Sequence, residues 1–350
     1  MVFLSPPVNC DLPNDSPFIP KNYNFEINKT LRTILKYKCK IVTLQFPDGL
    51  LRYSLAIIDL ISQYTGATSI VLNDVVYGAC CVDDKSLKSD LLIHYGHSCL
   101  VPVTEMFTKV LYVFVDIKID ITHLQKLIHN NFNEPVSIVG TIQFNSSINK
   151  LKRLSNVSTP QIKPLSRGEV LGCTSPKIST NVVISVGDGR FHLESVMINN
   201  PLLSFFKYCP FSRKLTREYY DYTKMVYLRS KNIKKARAGK NFGIILGTLG
   251  KQGNKTILKN VIDKLKKYKL YIFMMEEITP NLLDRYGFID SFVQISCPRL
   301  STDWGEAFTK PLLSSYEVFY ELGSEYKLDY YSKEGYAPYK NYNNVINNQN

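Results

Sequence analysis

Three of the eight cysteines stand in similar local settings far apart in the chain. They are Cys80 in Val-Tyr-Gly-Ala-Cys-Cys, Cys173 in Leu-Gly-Cys-Thr-Ser-Pro and Cys297 in Ile-Ser-Cys-Pro-Arg-Leu-Ser. Each follows an apolar, strand-like run and a small residue, and each opens a loop. Zinc sites usually show close cysteine pairs, and compact ferredoxins a tight run; spacings of 93 and 124 residues match neither. Three similar units, each giving one thiolate to a shared centre, would account for the pattern. Three thiolates on a four-iron cluster would leave one iron open to a substrate. The bland alternative is a thiol packed as a small apolar group, which suffices for Cys10, Cys39 and Cys209. In extended backbone Cys80 and Cys81 point to opposite sides, so both cannot serve one site. Cys99, in His97-Ser98-Cys99, is a possible extra ligand.

A second group of candidates lies where strands run into helices. Leu246-Gly-Thr-Leu-Gly-Lys-Gln-Gly253 is neither a Walker A sequence nor a dinucleotide fingerprint. Backbone amides at such a helix start can hold an anion or carboxylate, although a tight turn calls for glycine anyway. His94-Tyr-Gly-His97 and Gly187-Asp-Gly-Arg-Phe-His-Leu-Glu194 each follow a strand. His192 reads either as an acid or base or as a structural histidine. Asp188 and Glu194 read either as site residues or as caps of a helix beginning near Phe191. Arg299, Asp303 and Trp304 follow Cys297 closely enough to line the same cavity, with a surface ion pair as the alternative for the charged two.

These residues need elements to hold them. Ile41–Phe46, Val136–Phe144 and Phe242–Gly247 are short apolar runs closed by turn residues and read as buried strands. Helical patterns follow at Leu50–Tyr64, ending at Gly66, and at Thr256–Tyr268, where Ile257, Val261 and Leu265 form one stripe. Further strands are expected at Ser69–Leu72, Leu91–His94, Val110–Val115, Val182–Val186, Leu270–Met274 and Ser291–Ile295. Alternation of strands and helices implies parallel sheets, whose ligands collect at the carboxyl ends of strands. The fold expected is three similar parallel-sheet α/β domains around a central site. An N-terminal extension (1–21) precedes domains at 22–130 (Cys80), 131–235 (Cys173, with a basic linker helix over Arg213–Lys240) and 236–323 (Cys297). An extended tail (324–350), rich in Tyr and Asn, is expected to lie along the surface and end in disorder.

Composition sets the outer bounds. The 350 residues carry a net charge of +13, with 45% hydrophobic and 21% charged residues. No apolar run reaches the roughly 18 residues of a membrane span, and the N-terminus does not read as a signal peptide. The cytoplasm is the expected compartment, and there cysteines are metal-bound, catalytic or free rather than bridged. The positive charge fits an acidic partner, but solvated lysine-rich helix faces explain most of it.

The motifs together resemble a known family. Leu-Gln-Phe-Pro-Asp-Gly-Leu-Leu, Val-Tyr-Gly-Ala-Cys-Cys-Val-Asp-Asp, His-Tyr-Gly-His-Ser-Cys-Leu-Val-Pro, Leu-Gly-Cys-Thr-Ser-Pro, Gly-Asp-Gly-Arg-Phe-His-Leu-Glu-Ser, Leu-Gly-Thr-Leu-Gly-Lys-Gln-Gly and Cys-Pro-Arg-Leu-Ser-Thr-Asp-Trp-Gly occur in order from about Asn22 to Tyr342. The chain resembles the 2-(3-amino-3-carboxypropyl)histidine synthase family, which performs the first step of diphthamide biosynthesis. Its Cys-Cys pair is similar to the eukaryotic first-subunit type. Lys251 stands where the family usually has Arg.

The resemblance implies a [4Fe-4S] cluster held by Cys80, Cys173 and Cys297. It implies cleavage of the Cγ–S bond of S-adenosylmethionine, addition of the 3-amino-3-carboxypropyl radical to a histidine of elongation factor 2, and release of methylthioadenosine. It also implies a heterodimer with a homologous second subunit and electrons from a small metalloprotein, with neither a membrane nor a direct nucleic-acid partner. Contacts to S-adenosylmethionine then fall to Gly247, Thr248, Gly250, Gln252, Gly253, Asp188 and Arg299, with the glycine turn holding the methionine part. The alternative is a non-catalytic partner subunit that positions elongation factor 2, against which the retention of all three cysteines argues. An RNA-binding module has the positive charge but no recognisable motif.

Overall fold

The computed structural model describes residues 17–72, 78–85 and 88–341. Cys10 and the start of the N-terminal extension lie outside the described residues, as does the Asn-rich end of the tail. Two compact units are present. One holds the chain up to Ile119 together with Ile142–Ser147, and the other holds Asp120–Thr141 and everything from Ile148 onward.

The first unit is built on sheet one: Ile41–Gln45, Thr68–Leu72, Leu91–Tyr95 and Val110–Val113, all parallel, in the spatial order second, first, third, fourth. Leu91–Tyr95 is buried along its whole length, as a central parallel strand covered on both faces should be. Val42, Leu44, Ile93 and Tyr95 pack with Leu31 and Ile34 of helix Ile27–Tyr37 and with Ile57 and Ile61 of helix Ser54–Thr65. The single helix expected over Leu50–Tyr64 is two, Asp48–Leu51 and Ser54–Thr65, and the second stops as expected at Gly66, where φ is +69°.

The second unit carries two sheets. Sheet two contains Val136–Gly140, Val157–Ser158, Val182–Val186 and Ser204–Cys209, parallel and in the same second-first-third-fourth order. An antiparallel fifth strand, Lys214–Glu218, is added at its edge. Sheet three contains Asn241–Gly247, Lys269–Met275, Ser291–Ile295 and Leu312–Ser314, again all parallel and in that order. Ile257, Val261 and Leu265 of helix Lys255–Leu265 form its buried stripe, as their spacing predicts.

Three corrections to the sequence reading follow. The strand expected to run to Phe144 ends at Gly140 and gives way to a 3-10 turn, Ile142–Phe144, and a helix, Asn145–Leu151. The basic stretch from Arg213 is not one helix: it begins as the edge strand Lys214–Glu218 and becomes helical only over Tyr222–Arg237. The tail is more than a surface strip: Tyr326, Leu328, Tyr330, Tyr331 and Tyr339 are buried. No helix among the described residues is long and apolar enough to cross a membrane.

Repetition reaches single residues. Asp90, just before the third strand of sheet one, accepts from the N–H groups of Lys40 and Ile41 at 2.7 and 3.0 Å. Two hundred positions on, Asp290 accepts from Lys240 and Asn241, each at 2.8 Å. Both carboxyls are held below the usual carboxylate range by those backbone donors.

Candidate metal centre

In an order that runs second, first, third, the chain leaves the sheet in opposite directions at the first and third strands. Their carboxyl ends therefore border a crevice, the usual ligand position of open parallel sheets. The residue two places beyond the third strand is His97 in sheet one, Asp188 in sheet two and Cys297 in sheet three. Cys80 and Cys173 arise elsewhere, in the connections from second to third strand. Cys173 is preceded by no regular strand: Leu171 and Thr174 pair across it in a tight turn.

In the second unit Cys173 and Cys297 come together. Cys297 sits at the start of helix Pro298–Trp304, which swings Arg299 towards the turn holding Cys173. Arg299 is 3% exposed. It donates to Gly172 O at 3.2 Å and Phe191 O at 2.8 Å, to Glu194 Oε2 at 2.7 Å, and to both Asp303 oxygens at 2.8 and 2.9 Å. Its guanidinium also stacks over the Phe191 ring, 4.3 Å from the centroid. Burial acts to discharge Arg299, but Asp303 and Glu194 outweigh it and keep the group charged. Only glycine fits at 172, since a Cβ there would lie 2.0 Å from the Phe191 ring.

Burial, reinforced by the neighbouring charge of Cys297, pushes the Cys173 thiol up to about 12. Two thiols within reach of each other's charge in such a place resist ionising together unless a cation joins them, which is what a metal supplies. The donor set therefore fits a thiophilic metal group. Within either unit, no three His, Cys, Asp or Glu side chains among the described residues are grouped tightly enough to hold a metal ion. Two thiols alone do not complete a four-coordinate site.

In the first unit Cys81 is buried and Cys80 is partly exposed. The buried Gln45 donates to Cys81 O at 3.2 Å and accepts from Asp83 N–H at 3.3 Å. The thiol of Cys80 turns back over Gly78. Cys99 is exposed, with its thiol 3.8 Å from Val101 O. Burial, with His97 alongside, holds His94 well below its ordinary value, so it is neutral. Cys39 is buried in the sheet-one core, while Cys209 ends the fourth strand of sheet two.

The glycine turn borders the same crevice as Cys297. Ser296, beside Cys297, hydrogen-bonds the Gln252 side chain. A Cβ on Gly253 would lie 2.1 Å from Gly247 O, so the turn closes only with glycine there. Its amides are partly committed. Thr248 donates to Met275 O and Gln252 to Leu249 O, at 2.9 and 3.3 Å. At the helix start, Asn254 Oδ1 takes the N–H groups of Thr256 and Ile257, at 2.8 and 3.1 Å. Thr248 is exposed, Gly250 adopts φ +54°, and Gln252 is buried.

Asp188 is exposed and does not cap helix Phe191–Asn199, whose N-cap, Arg190, makes no side-chain cap bond. Glu194 is spent on Arg299 instead. His192 is held neutral, down to about 4, first by burial and then by Arg299. Trp304 is 65% exposed and lines no buried cavity. The tail was missed as part of the site. Tyr330 N–H donates to Cys173 O at 3.2 Å, Tyr331 N–H to Thr174 Oγ1 at 2.9 Å, and Asn341 Nδ2 to Gln252 O at 3.4 Å.

Three parallel sheets of one strand order, two of them bringing Cys173 and Cys297 near each other, define a triplicated α/β protein. Residues 46–332 match the family model described as a diphthamide synthesis protein, and the chain belongs to that family. It is 60% identical over 340 residues to 2-(3-amino-3-carboxypropyl)histidine synthase subunit 1 of Encephalitozoon cuniculi, covering 95% of this chain and 98% of that one. It is 46% identical to the Saccharomyces cerevisiae protein of the same name, covering 91% and 81%. The fold matches crystal structures of Dph2 from Pyrococcus horikoshii. One has a TM-score of 0.72 at 23% identity, covering 87% of this chain and 92% of that one; the other contains a 4Fe-4S cluster, with a TM-score of 0.73 at 22% identity.

Proposed function

We propose that the chain is the cluster-bearing subunit of a 3-amino-3-carboxypropyl transferase acting in the first step of diphthamide synthesis. The observation that carries this is the pairing of Cys173 with Cys297 around the buried Arg299, in a chain whose relatives bear the synthase name. Cys80 is the third thiolate, from the domain spanning 22–130; the domains spanning 131–235 and 236–323 supply the other two. When bound, a [4Fe-4S] cluster supplies an electron and an open iron at which the Cγ–S bond of S-adenosylmethionine is cleaved. The acceptor is a histidine of elongation factor 2, and methylthioadenosine leaves.

The chain's own residues bind, orient and exclude water. Gly247 and Gly253 let the turn close on Ser296 and on its own backbone, and with Gly250 they shape the main chain that meets the ligand, while Thr248 and Gln252 offer polar side-chain atoms. Asp188, exposed two places beyond the third strand of sheet two, offers a carboxylate near that strand end. Arg299 already has acceptors in several directions, so its part is to hold the Cys173 turn against the helix of Cys297. His192, kept neutral, presents no competing charge. Fixed orientation rather than proton transfer selects which of three C–S bonds breaks. The proposed setting is the cytoplasm, with a homologous second subunit and a small metalloprotein as electron donor.

The test is anaerobic iron–sulfur reconstitution, followed by assay with reductant, S-adenosylmethionine, the second subunit and elongation factor 2. Transfer of the 3-amino-3-carboxypropyl group is the expected result. A fully loaded complex that leaves the target histidine unmodified sinks the assignment.

A further inference from the structure

Two buried glutamines stand where an apolar residue would pack at lower cost. Gln45, in the Leu-Gln-Phe-Pro-Asp-Gly motif, is 3% exposed and Gln294 is 1% exposed. A buried amide needs partners, and here the cysteine loops take the donor of each amide, while Gln294 Oε1 is left without one. Gln45 Nε2 donates to Cys81 O, and its Oε1 accepts from Asp83 N–H and from His94 Nδ1, the latter at 3.0 Å. A carbonyl can only accept and an amide N–H can only donate, so this side chain has one workable orientation. His94 must then carry its proton on Nδ1. Gln294 Nε2 donates to Cys297 O at 2.8 Å and to Ser301 Oγ at 3.1 Å.

The two glutamines are not copies made by the internal repeat. Gln45 is on a first strand, opposite His94, and Gln294 is on a third strand, opposite Ile245. Two hundred positions on from Gln45 stands Ile245, and two hundred before Gln294 stands His94. Each sheet thus placed an amide at a different point, and each amide reaches the backbone of its own cysteine loop. The turn of Cys173, which no glutamine reaches, is held at the same atom type by the tail, through Tyr330 N–H.

We propose that Gln45 and Gln294 are positioning residues for the metal centre, fixing the loop backbones so that the thiols of Cys80 and Cys297 are presented for ligation. This rests on the ligand set proposed above. The test uses the full-length chain with Gln45→Met, Gln294→Met and, as a second variant keeping size and both accepting contacts, Gln45→Glu. In the metal-free reduced protein, iodoacetamide labelling read by mass spectrometry should show Cys81 reacting roughly tenfold faster in both Gln45 variants, with Cys39 still protected. After reconstitution, all three variants should lose iron to a chelator roughly tenfold faster or more, and the reduced cluster should show an altered electron paramagnetic resonance signal. Wild-type labelling of Cys81 together with a wild-type signal and chelator resistance would overturn the proposal. Failure of the underlying ligand set looks different: Cys80→Ala and Cys297→Ala would then keep full iron content.

Discussion

Sheet one and sheet three are the same scaffold put to different use. Both run second, first, third, fourth, and both pin the first strand to the start of the third through an aspartate, Asp90 or Asp290. They differ at the crevice. Two residues beyond the third strand, sheet three offers Cys297 where sheet one offers His97. Sheet one's cysteine instead sits in an earlier connection, tied down by Gln45 from beneath. The turn after the first strand also differs. Sheet three has a glycine turn and a helix capped by Asn254, whereas sheet one passes through Pro47 into a short helix with no side-chain cap. A repeated strand order thus preserves the crevice while leaving the residue type and its loop free to vary.

The comparison can be broken most decisively at the thiols. Cys80→Ala, Cys173→Ala or Cys297→Ala should each abolish the visible absorbance of the reconstituted cluster, although the three cysteines occupy non-equivalent points of their sheets. Cys81→Ala should retain most of it, and a loss as large as that of Cys80→Ala would show that the first ligand is the neighbour. Next in size is Arg299→Ala, which leaves Glu194 its pair with Arg190 and Asp303 the Thr302 hydroxyl, and removes the staple between the turn of Cys173 and the helix of Cys297. Both carboxylates keep some contact with water, so denaturant unfolding should show a loss of about 2–3 kcal/mol, below that of a fully buried pair. Among the described residues sheet one shows no counterpart of this staple, and the equivalent position is Cys99.

His192 gives a pH signature. Its pKa is depressed in the folded chain to about 4, so the stability it contributes is present above the unfolded value near 6.5. That contribution is lost as pH falls through the folded value, because the unfolded chain binds the proton first. Between pH 6.5 and 4 the metal-free protein should lose on the order of 2–3 kcal/mol from this group, and His192→Gln should flatten that part of the profile. An unchanged slope in the variant would show that another group controls it. A smaller effect is expected at Asn254→Ala, about 1 kcal/mol by denaturant unfolding, from two uncapped helix amides. Pro47→Ala, at the uncapped equivalent in sheet one, should change stability less, and a larger loss there would break the contrast.

Much of the scaffold is legible in the chain. Val182–Val186 and Ser291–Ile295 coincide with the expected strands because buried parallel strands are unbroken apolar runs. Ile257, Val261 and Leu265 declare their helix by spacing. The edge strand Lys214–Glu218 is opaque because its side chains meet water, and its lysine and arginine read as a helix surface. The tail is opaque for the opposite reason: its tyrosines are buried by partners distant in sequence, so no period records them. At the site, the cysteines stand out by their settings, but Arg299 looks like one half of a surface ion pair until the fold surrounds it with Glu194, Asp303 and two carbonyls.

The sequence by itself determined the three-part α/β plan, the ordered motifs that place the chain in its family, and the cysteines worth testing. These are local signals, carried by runs and neighbours a few residues apart. Tertiary structure decided that Cys173 and Cys297 share one surroundings, that Arg299 is a buried staple, and that Gln45, Gln294 and Tyr330 grip the cysteine loops. Each of those depends on contacts from 3 to 157 residues apart across folded backbone, with burial setting the charge state of Cys173 and His192. Neither a short local run nor a helical or strand period records them, and packing brings the donors, acceptors and thiols within reach.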